Sequence, residues 1–146
     1  MRGLTIRQTL FPGLLLAAFT CGQPFAHEHH HAPDAEGHWT APAKEAKRHN
    51  PVPPTPASTA RGEALFQTHC ASCHGTNGEG DGPAAANLSP KPANLQAMAG
   101  HHSDGDLAWK IAHGRGPMPG WEAVLKPRQI WDLVNHIRRL AAISHQ

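Results

Sequence analysis

Residues 70–83 read CASCHGTNGEGDGP. Cys70 and Cys73 flank two small residues, and His74 follows at once. Such a spacing is open to three chemistries: a redox disulfide, half of a zinc site, or a covalent cofactor anchor. A thioredoxin-like motif needs a strand before it and a βαβ setting, and no alternating apolar run marks a strand here. A zinc site needs two further ligands at suitable spacing, and the third cysteine, Cys21, lies far upstream in the leader. A structural disulfide has no use for His74.

Cysteines three apart share one face of a helical turn, where two thiols can add across the two vinyl groups of haem. The adjacent imidazole then lies below the iron. Cys-x-x-Cys-His therefore reads as c-type haem attachment, with Cys70 and Cys73 as anchors and His74 as the axial ligand. Met or His fills the second axial position in most such sites, and Met favours a higher reduction potential. Beyond the initiator the methionines are Met98 and Met118. Met118 sits in GRGPMPGW between Pro117 and Pro119, a rigid backbone suited to holding a thioether, and is the expected ligand. Met98 lies in a short apolar segment that suits packing. His101, His102 and His113 are rival ligands, with His113 the best placed of them.

Outward from this motif, the first 26 residues read as an export signal. Arg2 and Arg7 precede an apolar stretch from Leu10 to Phe19, and small residues offer cleavage near Gly22 or Ala26. The stretch is short for a bilayer span and is interrupted by Pro12 and Gly13, so a retained membrane anchor is the alternative. Cleavage near Ala26 discards Cys21. Export suits covalent haem attachment and implies a periplasmic location. Next, His27, His29, His30, His31 and His38 crowd into twelve positions. They read as a polar, disordered tract or as a loose site for divalent metal such as copper or zinc. Prolines at 42, 51, 53, 54 and 56 then predict an extended, semi-stiff tether, giving a non-compact segment over 27–59 and a compact domain over 60–146. Trp39 supplies an apolar anchor by which that tether could lie on the domain. The net charge of +2 is too small to argue for nucleic acid.

The compact part reads as helical. Ser58 or Thr59 caps a first helix that carries Gly62 and Phe66. Ser103 caps another over SDGDLAWKIAHG, with Asp106 in a capping-box position and Gly114 as its stop. A terminal helix places Ile130, Leu133, Val134, Ile137, Leu140 and Ala141 at helical spacing, with Arg138 and Arg139 toward its negative end. Between Gly75 and Gly100 the Gly, Pro, Ala and Asn content predicts loops, with a short helix around Leu95–Met98.

CASCHG, then GDGP, then GRGPMPGW, then an amphipathic C-terminal helix resembles class I cytochrome c, above all its small bacterial mono-haem members. The resemblance spans roughly Ala60 to Leu140. It implies an all-α fold in which N- and C-terminal helices cross beside a covalently bound haem, with Gly62, Phe66 and Leu133 at the crossing. It implies that the Pro83 carbonyl accepts the Nδ1–H of His74, that Leu88 and Leu95 wall the haem, and that Trp109, Trp121 and Arg115 approach its propionates. His136 departs from the family, which usually carries Tyr or Phe there. The resulting expectation is a periplasmic carrier of single electrons between redox proteins, not an enzyme. A haem protein coupled to copper or zinc handling through the histidine tract is the alternative.

Overall fold

A computed structural model describes residues 38–144. The expected leader over 1–26 and the histidines from His27 to His31 lie outside the described residues. Among the described residues the regular elements are all helical: α1 (Ala43–Ala46), α2 (Pro56–His69), α3 (Ala71–His74), α4 (Leu95–Met98), α5 (Asp104–His113) and α6 (Pro127–Ser144). The all-α expectation holds.

Helix α2 begins earlier than expected. Its N-cap is Thr55, not Ser58 or Thr59. The Thr55 hydroxyl accepts from the Ser58 N–H at 3.2 Å, and the Ser58 hydroxyl accepts from the Thr55 N–H at 3.0 Å. Pro56 fills the first helical position, where a missing N–H costs nothing and φ is already helical. A proline that reads as tether is thus the first residue of the helix.

The architecture rests on the crossing of α2 and α6. Gly62 makes it close: a Cβ there would lie 2.0 Å from the Asp132 carbonyl oxygen. Phe66, Leu133 and Val134 are fully buried beside it. Arg61 grips both oxygens of the buried Asp132 carboxylate at 2.9 Å. His136 packs at the same crossing, its ring tilted against Phe66 with centroids 5.1 Å apart. Helix α5 closes the third side with Leu107, Ala108 and Ile111. Ser103 caps it by accepting the Asp106 N–H, and Gly114 at φ 64° ends it. Arg138 does not serve the end of its own helix. It reaches Asp104 at 2.8 Å and the carbonyls of Ala99 and His102, which ties α6 to the turn before α5.

Of the two arrangements expected for the tether, the non-compact one does not hold over its described part. Residues 38–55 lie against the helices, with Ala41 and Val52 buried. Prolines make this stretch stiff, but polar side chains of the helices capture its backbone. The Ala41 N–H donates to Asp106, the Ser103 hydroxyl donates to the Ala46 carbonyl, and Asn135 donates to the Val52 carbonyl at 3.1 Å. Asn50 donates in turn to the Asn135 amide oxygen at 2.8 Å. Gly105 lets α1 come close, since a Cβ there would stand 2.1 Å from the Glu45 carbonyl.

Candidate haem site

The end of α2 runs directly into the motif. The Cys70 N–H donates to the Phe66 carbonyl at 2.8 Å, and the His74 N–H to the Cys70 carbonyl at 2.9 Å. One helical turn therefore presents Cys70, Cys73 and His74 to a cavity of about 300 Å³. Both cysteines are free thiols. Burial, helped by the neighbouring Cys73, pushes the Cys70 thiol up to about 12. Burial also pushes His74 below its ordinary value, against the opposing pull of a carbonyl hydrogen bond. Neutral imidazole is the ligating form.

That carbonyl is Ala93, not Pro83. His74 Nδ1 lies 3.1 Å from the Ala93 oxygen. Pro83 is exposed and stands between two residues bound to the rear of the motif helix. The Gly82 N–H donates to the Cys73 carbonyl at 3.1 Å, and the Ala84 N–H to the Ser72 carbonyl at 2.9 Å. The loop after it swings back and delivers Ala93 instead. It is held by the Leu95 N–H donating to the Gly78 carbonyl at 2.6 Å and by Gln96 donating to the Asn77 carbonyl at 2.9 Å. Fixing one ring nitrogen in this way sets the orientation of the other.

Across the cavity, Pro117, Met118 and Pro119 form part of the lining. Arg115 and Met118 exchange backbone hydrogen bonds of 2.9 and 3.1 Å around a tight turn, which fixes the Met118 backbone. Met98 also lines the cavity, while packing on the apolar core. The walls are Phe66, Leu88, Leu95, Leu107, Ile111, Leu133 and Ile137, so both expected leucines are in place. His101, His102 and His113 are absent from the described lining; His69 joins His74 there, tilted on Trp121 with centroids 4.9 Å apart. His113 stacks on Trp109 at 4.6 Å, and both face a separate recess of about 210 Å³.

Of the three residues expected at the haem propionates, Trp121 and Arg115 line the cavity and Trp109 does not. Trp109 lies 200° around α5 from the cavity-facing Leu107 at 100° per residue. Trp39, Lys91 and Lys110 take part instead. Lys110 was legible in principle, because it shares a face of α5 with Leu107 and Ile111. Trp39 carried no such signal, because its position depends on how the N-terminal segment docks.

The chemistry of the lining fits a haem. It joins two thiols, an imidazole and a thioether to apolar walls. Its charged members are Lys91, Lys110 and Arg115, with no carboxylate among the described residues, which suits a flat apolar ring bearing two carboxylates.

Known proteins agree. Residues 57–137, more than half of the chain, match the family described as cytochrome C oxidase, cbb3-type, subunit III. Cytochrome c6 of Euglena gracilis is 29% identical over 76 residues, covering 52% of this chain and 85% of that protein. Cytochrome c6 of Chlorolobion braunii is 29% identical over 86 residues, 59% of this chain and 94% of its own. Cytochrome c-551 of Bacillus subtilis is 36% identical over 66 residues, 44% of this chain and 50% of its own. A solved chain of a reducing HAO-like protein complex from Kuenenia stuttgartiensis shares the fold, with a TM-score of 0.54 at 24% identity. The likeness covers 62% of this chain and only 46% of that one. From the first turn of α2 to Ile137 on α6 the match is continuous, and the chain belongs to this family of cytochrome c domains, with one covalently bound haem c as its cofactor.

Proposed function

We propose that the chain is an exported single-electron carrier whose haem iron is held between His74 and Met118. The observation that carries this reading is the shared cavity: Cys70, Cys73 and His74 line it from the motif helix, and Met118 from the Pro117–Pro119 loop. Haem iron ligated on both faces supplies a one-electron redox couple. The chain's part is to orient His74 through Ala93, to wall the ring with apolar side chains, and to brace Met118 between prolines. Met98 is the lesser candidate because it packs into the core. In this reading the cleaved leader sends the protein to the periplasm, where its partners are other redox proteins.

The test is an optical spectrum of the exported protein in both oxidation states, together with its intact mass. The expected result is the mass of one haem and a methionine–iron charge-transfer band that disappears in Met118→Ala and survives in Met98→Leu. A band that persists in Met118→Ala removes Met118 as ligand. A mature protein without haem mass sinks the carrier reading altogether.

A further inference from the structure

One end of the cavity is cationic, and part of it is built by residues outside the family match. Trp39 comes from the N-terminal segment, upstream of residues 57–137. Its ring lies under two cations: Lys110 Nζ is 5.6 Å from the ring centroid and Arg115 Cζ is 5.1 Å. All three side chains line the cavity. An aromatic face attracts both cations and so draws two like charges together.

Their charges are unequally answered. Lys110 is buried and pairs with Asp106 at 2.7 Å, and Asp106 also binds His102 at 2.5 Å. Arg115 makes no ion pair among the described residues, although it stands at the mouth of a cavity whose described lining contains no carboxylate. The pair therefore carries a surplus positive charge facing the ligand space, and Lys91 adds another. A cavity with apolar walls and a cationic end is complementary to a ligand that is apolar with anionic groups on one edge.

We propose that the N-terminal segment completes the seat of the haem carboxylates: Trp39, outside the family match, holds Lys110 and Arg115 together at the cationic end of the cavity. The proposal rests on haem occupying this cavity. Arg115 is the cation that would pair with a haem carboxylate. Trp39 is a positioning residue, acting through the two cations it holds. The same Asp106 that neutralises Lys110 accepts the Ala41 N–H at 2.5 Å, two residues from Trp39. One buried carboxylate therefore docks the segment and orients the lysine together.

The test uses the full-length exported protein and its Arg115→Gln, Trp39→Ala and Trp39→Phe variants, each first checked for haem mass. Midpoint potential is then measured across the acid to neutral range. Removing the Arg115 charge lowers the midpoint potential, because a nearby cation favours the reduced form. It also moves the acid-range inflection to higher pH, because a carboxylate without its cation holds its proton longer. Trp39→Ala shifts both quantities in the same directions, and Trp39→Phe restores them. Haem-loaded variants whose potential and inflection match the wild type overturn the seat. A Trp39→Ala protein that melts earlier with both quantities unchanged also overturns it, since Trp39 is then packing alone. Absence of haem mass from the wild type is a different failure, that of the cofactor reading itself.

Discussion

Two stretches of chain pack on the helical frame by different means. Helix α2 meets α6 through buried apolar side chains and one glycine that admits a carbonyl. The segment 38–55 buries only Ala41 and Val52 and is held mainly by hydrogen bonds that Asn135 and Ser103 donate and Asp106 accepts. The first contact is broad and mainly apolar, with the Arg61–Asp132 ion pair beside it. The second depends on a few donors and acceptors in register, so it is able to open without the first.

Phe66→Ala attacks the broad contact and carries the largest expected effect. Removing a fully buried phenyl ring costs about 3–5 kcal/mol in global stability, measured by chemical denaturation. A loss below about 1 kcal/mol would mean that the crossing is not the principal core. Asn135→Ala attacks the narrow contact. It strips the Val52 carbonyl and the Ser58 and Asn50 side chains of a partner and costs about 1–3 kcal/mol. Hydrogen exchange should rise over residues 41–55 while α2 and α6 stay protected. Equal loss of protection in both regions would show that the two contacts open as one.

His136 tests whether the apolar side of this contact tolerates a charge that has no partner. Its ring is buried, and neither nitrogen has a hydrogen-bond partner among the described residues. Burial depresses its affinity for a proton; Glu63 opposes that shift and Arg139 adds to it. The unfolded chain then takes up a proton near pH 6.5 while the folded chain does not, so stability is full above that value and falls as pH drops below it. One proton gives at most about 1.4 kcal/mol per pH unit. His102 is depressed as well, also by burial, and contributes with the same sign. The difference between wild type and His136→Phe isolates the buried ring: the variant's stability should fall less steeply between pH 6.5 and 5. Parallel curves would place His136 in contact with water. The smallest effect belongs to Pro83→Ala. Pro83 is exposed and Ala93 holds His74, so stability should move by less than about 0.5 kcal/mol with the optical spectrum unchanged. A changed haem spectrum would show that the rigid ring of Pro83 helps to hold the loop that brings the Ala93 carbonyl to His74.

The contrast also separates what was legible in the sequence from what was not. The Cys70–His74 motif was legible because its chemistry demands three residue types at one spacing. The crossing was legible because helical periodicity marks apolar faces, and Ser103 and Gly114 mark helix ends. Trp39 allowed 38–55 to dock on the domain as an alternative to a free tether, but polar docking has no periodicity, so neither the hydrogen bonds that hold the segment nor the entry of Trp39 into the cavity could be read. Pro56 misled because proline has two uses, as a stiff linker and as the first residue of a helix. Ala93 was hidden because it acts through a backbone carbonyl, which every residue carries.

The approach of Gly62 to Asp132 also bears on the order of events in folding. It joins positions 70 residues apart, and Cys70, Cys73, His74 and Met118 all lie within that span. Contacts so distant in sequence are slow to find. Once they form, the Cys70 thiol is pushed up to about 12 and is almost wholly protonated at neutral pH. The thiolate is the reactive form, and it is more abundant in the open chain, where the thiol sits near its ordinary value of about 8.5. Closing the crossing therefore leaves Cys70 in its less reactive, protonated form, so this anchor is better suited to haem attachment in a chain whose helices have not yet closed.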